Sequence, residues 1–306
     1  MNVMKKYTLR NLILLIAAGF GLAQCDNYGQ DEYEEQVVVE AFLVAMEPLP
    51  LLRLSRTAEF AEFYRFEDFA ISDGIVRIHE MNGDAIVNTY EYREGDPGVY
   101  EATTNALVRP LTTYALDVDI PSRGDRLSAT TVVPDTFSTV GANLDPAQRD
   151  SVVYQQEDRF EIVTTRSEFP GRQAVFIFSI FAEEPESFPL TPFYADDVDD
   201  PEDVIINSSG IINEGNYEFN PDGTLTISLP WIAIAYFGPN TIVANTLDDN
   251  LVDFYRSLGV QFGDSFASPG EIYNVIERID GGTGIFGSYA RAAVPIFVRP
   301  RVEDGI

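Results

Sequence analysis

A mainly β fold is predicted for this chain, an N-terminal β-sandwich followed by a second β-rich domain with one or two short helices, and three observations predict it. Short runs rich in Val, Ile, Thr and Tyr recur, as in Gln36–Val44, Ile75–His79, Ala85–Tyr92, Gly98–Thr103, Thr113–Ile120 and Leu127–Val133. Turn-forming clusters such as Asn82-Gly83-Asp84 and Asp96-Pro97-Gly98 separate them. Within Tyr114–Ile120 the residues Tyr114, Leu116, Val118 and Ile120 share one face and Asp117 and Asp119 the other, the period of a strand with one wet side.

The remaining elements follow in order. Thr57–Phe69 carries Phe60, Phe63, Tyr64, Phe66 and Phe69 at spacings that gather the rings on one side of a short helix or ordered loop. Those rings either pack on the sandwich or form a partner-binding patch. Strand formers lapse between Pro134 and Ser151, so a linker is placed at 136–151, between a sandwich domain at 36–135 and a C-terminal domain at 152–306. The second half resumes with Arg159–Thr165 and with Gln173–Phe181, a continuous apolar run suited to a strand buried on both faces. Gly215–Asn220 and Thr224–Leu229 flank the turn Pro221-Asp222-Gly223. Leu247–Leu258 is the best helix candidate, with acids at its start, Leu247, Leu251, Phe254, Tyr255 and Leu258 on one face, and Gly259 just beyond. Strand-like Glu271–Ile276 and Ile285–Val298 end the chain, joined through Asp280-Gly281-Gly282-Thr283-Gly284. No internal repeat of fixed period is visible.

The first 24 residues read as a secretory leader. Lys5, Lys6 and Arg10 precede an apolar stretch, Leu12–Leu22. At about 1.5 Å per residue that stretch spans about 17 Å, short of a hydrocarbon core of about 30 Å. Leu22-Ala23-Gln24-Cys25 looks like a bacterial lipobox, cut before a cysteine whose thiol then carries lipid, with Gln24 where a small residue is usual. The alternative is an ordinary signal peptide with an incidental cysteine. Cys25 is the single cysteine, so no disulfide forms within the chain and stability rests on packing.

Charge is heavily one-sided. The whole chain has 20 Lys and Arg against 49 Asp and Glu, a formal charge of −29. Both lysines lie in the leader, so every basic side chain after it is arginine. Nucleic acid and anionic lipid surfaces would repel such a protein. A high-salt (halophilic) habitat, in which self-repulsion is screened, is one reading; an ordinary acidic surface protein is the other.

Chemistry-bearing residues are sparse. His79 is the only histidine, which excludes a His-rich zinc site; a Cys-His pair would need Cys25 free of lipid, and a lone histidine alternating with apolar neighbours on a strand reads as structural rather than catalytic. The densest acidic run, Asp196 to Asp203, makes Asp196, Asp197, Asp199 and Asp200 candidates for Ca²⁺, although their spacing is not that of an EF-hand and a solvated loop is the plainer reading. A pair of carboxylates could in principle serve a hydrolase, but with 49 acids no pair stands out.

Several segments follow one another in a telling order: Val38-Val39-Glu40-Ala41-Phe42-Leu43, Arg53-Leu54-Ser55-Arg56-Thr57, Gly98-Val99-Tyr100, Tyr114–Val118 with the Val133-Pro134 exit, Asp253–Leu258, Tyr273-Asn274, and Gly281-Gly282-Thr283-Gly284-Ile285-Phe286-Gly287. In this order they resemble the Bacteroidota lipoproteins grouped as domain of unknown function 4249. In this chain Val275–Asp280 lengthens the gap between the asparagine and the double glycine.

The resemblance implies an outer-membrane or surface lipoprotein whose first half is an immunoglobulin- or transthyretin-type sandwich. It also implies a gene often found near TonB-dependent transporters, and supplies no catalytic residues. The acidic arm 25–35 loosely resembles the signal that sends such lipoproteins to the cell surface. The glycine segment is either a tight turn with close backbone approach or a binding loop formed by Gly281, Gly282, Gly284 and Phe286.

The expected function is therefore a non-enzymatic accessory or binding component of a TonB-dependent transporter or envelope assembly. A structural or adhesive surface protein and a carboxylate-dependent hydrolase are the alternatives.

Overall fold

The computed structural model describes residues 33–59, 63–142, 151–195, 198–261 and 278–301. The first half contributes β1 (Val37–Val44), β2 (Leu52–Arg56), the one-turn helix α1 (Phe66–Phe69), β3 (Ile75–Asn82), β4 (Ala85–Glu94), β5 (Val99–Ala102), β6 (Thr113–Ile120) and β7 (Asp125–Val132). The second contributes β8 (Thr139–Ala142), β9 (Ser151–Val153), β10 (Phe160–Thr164), β11 (Val175–Ala182), the one-turn helix α2 (Pro192–Ala195), β12 (Ile206–Ser208), β13 (Ile212–Asn213), β14 (Leu225–Leu229), β15 (Gly238–Leu247), α3 (Asp249–Gln261) and β16 (Thr283–Arg299). The fold is mainly β, as the strand signals predict.

In the first half two layers face each other. β1, β2 and β5 turn Val37, Val39, Ala41, Leu43, Leu52, Leu54 and Tyr100 inward against Val76, Ile78, Leu116, Val118, Ile120 and Leu127 of β3, β6 and β7, and all of these are buried in one cluster. The alternation read in Tyr114–Ile120 is realised on β6, whose even-numbered residues are buried. β4 crosses between the layers: Ala85, Ile86 and Asn88–Glu91 pair with β3, while Tyr92–Glu94 pair with β5.

β16 joins the halves. Its first part, Thr283–Tyr289, runs parallel to β1 from Val38 to Val44, and its second part, Tyr289–Val298, runs antiparallel to β15. The resulting sheet follows the order β12-β11-β15-β16-β1-β2-β5-β4-β3-β6-β7, with β13 on β11 and β9 on β16; β14-β10-β8 form a second sheet. The sequence division at 136–151 thus falls between strands that share one sheet. Part of that stretch is β8, paired with β10 through Ala142↔Ile162, and residues 143–150 lie outside the described residues.

β11 is buried on both faces, as its apolar run predicts. Phe176, Phe178 and Ile180 enter the main core, while Val175 and Ile177 form a second cluster with Leu247, Leu251, Val252 and Ile285 beneath α3. α3 begins one residue after Asp248, whose Oδ1 accepts from the Leu251 amide at 2.9 Å and caps the first turn. The helix runs past Gly259 to Gln261. The turn Asn220–Thr224 closes as predicted, with the Asn220 amide on the Thr224 carbonyl at 2.8 Å. Its second arm is β14, but that strand pairs with β10, and Glu214–Asn216 is a 3₁₀ turn.

Candidate functional site

The outer face of the sheet, where α3 leaves it uncovered, holds a groove of about 330 Å³. Strand register places its parts. Ile177, Asn245 and Arg291 stand side by side across β11, β15 and β16, and Leu247 pairs with Tyr289 one rung along. Each alternates with residues that face the main core, so the pleat that buries Phe176 and Ala244 turns Ile177 and Asn245 outward. Helix α3 adds Leu251 and Tyr255 to the groove, and β1 adds Phe42.

The groove has an apolar floor of Ile177, Leu247 and Leu251, aromatic walls of Phe42, Tyr255 and Tyr289, and a polar rim of Ser179, Ser208, Ser209, Asn245 and Arg291. Phe42 is 42 % and Tyr255 44 % exposed, so both offer ring surface to solvent. Arg291 donates from Nε to Asn245 Oδ1 at 3.1 Å and from Nη2 to the Tyr289 hydroxyl at 3.2 Å, which fixes the guanidinium plane. Burial pushes the Tyr289 phenol up despite the cation beside it, so it stays protonated and its O–H remains a donor. On the other side the Ser179 and Ser208 hydroxyls meet at 2.8 Å. Among the described residues no Asp or Glu lines the groove.

The residues singled out from sequence lie elsewhere. Cys25, Asp196 and Asp197 fall outside the described residues. Asp200 accepts from the Glu202 amide at 3.0 Å and caps the 3₁₀ turn Pro201–Val204. Among the described residues no group of three or more His, Cys, Asp or Glu side chains could hold a metal ion. His79 Nδ1 lies 2.9 Å from Thr89 Oγ1 across the β3–β4 pair. Among the described residues of the aromatic segment Thr57–Phe69, helix forms at α1, where Arg53 and Arg56 stack on Phe66 and Phe69.

The glycine segment is the entry to β16. Gly281 has φ +83°, and a Cβ there would stand 2.1 Å from the Arg126 carbonyl oxygen. Gly284 has φ +110°, and its Cβ would stand 2.1 Å from the Val39 carbonyl oxygen. Gly282 lies against the Val37 carbonyl and Leu127, and Phe286 is 1 % exposed in the main core. These residues thread β16 between β1 and β7.

Phe42 lies in a segment that carries the family resemblance, whereas Asn245, Tyr289 and Arg291 belong to no motif singled out in the sequence, and only register brings the four together. The signal that could have found them is faint, a polar Asn245 and a charged Arg291 set among strand-forming residues. No described helix is long and apolar enough to cross a membrane.

The fold and the groove define a mainly β protein carrying a depression of about 330 Å³ on the outer face of its central sheet. The chain belongs to the family described as Domain of unknown function (DUF4249), whose model matches residues 27–293. No curated protein matches it.

Among solved structures, the chain is similar to the alpha-2-macroglobulin of Escherichia coli activated by porcine elastase, at 10 % identity and a TM-score of 0.23, over 87 % of this chain and 23 % of that one. It is also similar to the T6 backbone pilin of serotype M6 Streptococcus pyogenes, at 8 % identity and a TM-score of 0.17, over 88 % of this chain and 64 % of the pilin. The chain thus spans less than two thirds of either structure, and TM-scores this low carry no argument about function.

Proposed function

We propose that the protein is a non-enzymatic outer-membrane lipoprotein of the Bacteroidota type, anchored through Cys25 and facing the cell surface. In this reading it serves as an accessory or binding component of a TonB-dependent transporter or envelope assembly. The groove beside α3 is the observation that carries the binding part: aromatic walls, oriented donors and a volume within the range of small-ligand sites, about 300–1,000 Å³. The leader and the acidic arm support the anchoring part.

The test uses the full chain expressed in a bacterium with a lipoprotein pathway and fed labelled palmitate. Label should enter the wild type and be absent from Cys25→Ala, protease should shave the domain from intact cells, and a β-barrel protein should co-purify in mild detergent. Unlabelled wild-type protein would overturn the anchor, and recovery without any barrel partner would overturn the accessory role.

A further inference from the structure

The composition of the groove narrows its ligand. The chain carries 49 acidic residues, yet among the described residues none lines this depression, while Arg291 does. A cationic ligand or a metal ion would meet a guanidinium and no carboxylate. A strongly anionic ligand would have to approach a chain of formal charge −29 and would meet, among the described lining residues, Arg291 as the one cation, whereas phosphate sites gather several donors. A purely apolar ligand would strand the rim of Ser179, Ser208, Asn245 and Arg291 away from water, at a cost for each unpaired group. What remains is a neutral molecule with apolar faces and many hydroxyls.

The walls and rim suit such a molecule. Phe42 and Tyr255 offer exposed ring surface, whose negative quadrupole attracts the weakly positive C–H groups of a pyranose ring, and Tyr289 adds a ring over which the Arg291 guanidinium lies at 5.2 Å. The guanidinium of Arg291, held by Asn245 and Tyr289, is a fork of donors matched to adjacent hydroxyl oxygens. The Ser179–Ser208 pair supplies a further donor and acceptors.

We infer that the groove between α3 and strands β11, β15 and β16 binds a neutral saccharide, one mono- or disaccharide unit at a time. This rests on the binding reading of the groove and is independent of any transporter partner. The sugar is either free in the medium or part of an envelope glycan.

The test is saturation-transfer NMR on the full chain, held in a detergent without a sugar headgroup. The probes are maltose, cellobiose and mannobiose, the corresponding polysaccharides, glucuronic acid and a tripeptide with a free carboxylate. Transfer to a neutral sugar is expected, weakened about tenfold or more in Arg291→Ala and in Tyr255→Ala. Tyr289→Phe, which keeps the ring, should lose less. Binding of the disaccharides themselves indicates a free sugar, and binding of the polymers alone an envelope glycan; either supports the inference.

No transfer to any neutral sugar at millimolar concentration would overturn it, as would preference for glucuronic acid or the tripeptide, or unchanged affinity in folded Arg291→Ala. The palmitate and co-purification results do not depend on the groove, so the two readings fail separately.

Discussion

Thr131 Oγ1 donates to Asp248 Oδ2 at 2.6 Å and lies 2.6 Å from Ser288 Oγ, so a hydroxyl chain from β16 through β7 ends on the carboxylate that caps α3. All three residues are buried. Asn250 adds bonds from Nδ2 to the carbonyls of Thr130 and Phe286, each at 2.7 Å. Replacing Thr131 with the isosteric Val should cost about 1–3 kcal/mol in urea unfolding, because a buried carboxylate oxygen loses its donor. A loss under about 0.5 kcal/mol would show that the chain contributes little.

Burial raises the Asp248 carboxyl to about 6, against the pull of its hydrogen bonds from Thr131 and the Leu251 amide. The folded form therefore holds the proton more tightly than the unfolded form. Stability contributed by this group falls as pH rises from about 4 to about 6 and stays level above, by at most about 3 kcal/mol. Asp248→Asn keeps a capping oxygen, and its amide can donate to Thr131 if the hydroxyl chain reverses. The difference in stability between wild type and Asp248→Asn should change over that pH window and be constant from pH 7 to 8. A constant difference throughout would place the carboxyl at its ordinary value.

Gly284→Ala should be among the most damaging single changes. Its Cβ would overlap the Val39 carbonyl, and φ +110° is closed to other residues. A loss above about 3 kcal/mol, or failure to fold, is expected in thermal unfolding. Gly210→Ala is the control: nothing lies within 4 Å of its Cβ, and its stability should stay within about 0.5 kcal/mol of wild type.

Glu80 is almost fully buried and accepts from Tyr90 Oη at 2.7 Å, Asn88 Nδ2 at 2.8 Å and Arg109 Nη1 at 3.0 Å. Burial pushes its carboxyl up, but these bonds and the Arg109 charge prevail and hold it below the usual range. Tyr90 is driven the other way, to about 12, first by burial and then by Glu80. Glu80→Gln should cost about 1–2 kcal/mol, since the Arg109 side chain is 67 % exposed and is not stranded. The Tyr90 phenol should also titrate lower, which ¹³C NMR of its Cζ would read. An unmoved Tyr90 would assign its shift to burial alone.

Strands with clear alternation or a bounded apolar run were legible in the sequence: β1, β3, β6, β7, β11 and β16 lie within a few residues of their expected positions. β15 was not, because Gly238-Pro239-Asn240 reads as a turn and Leu247 seemed to belong to the helix. Its strand is set by tertiary pairing on both sides, with β11 and β16. The expected hairpin arm Gly215–Asn220 is reduced to a single antiparallel bridge, Phe219↔Leu225, for the converse reason: β14 pairs along its length with the distant β10. Phe286 and the glycines were visible as a motif, whereas the groove was not. Its walls come from β1, β16 and α3, far apart in the chain, and no periodicity within one segment records a juxtaposition made by register.

The parallel pairing of Val38 with Thr283 has a consequence for the order of events during synthesis. A chain emerging N-terminus first presents β1 with only β2 to pair, and its other edge stays open until the last strand arrives. Such long-range closure slows folding and leaves a sticky edge exposed in the interval. The dense carboxylate charge of the chain would repel another copy from that unfinished edge, so acidity spread over the whole sequence acts as a guard during folding.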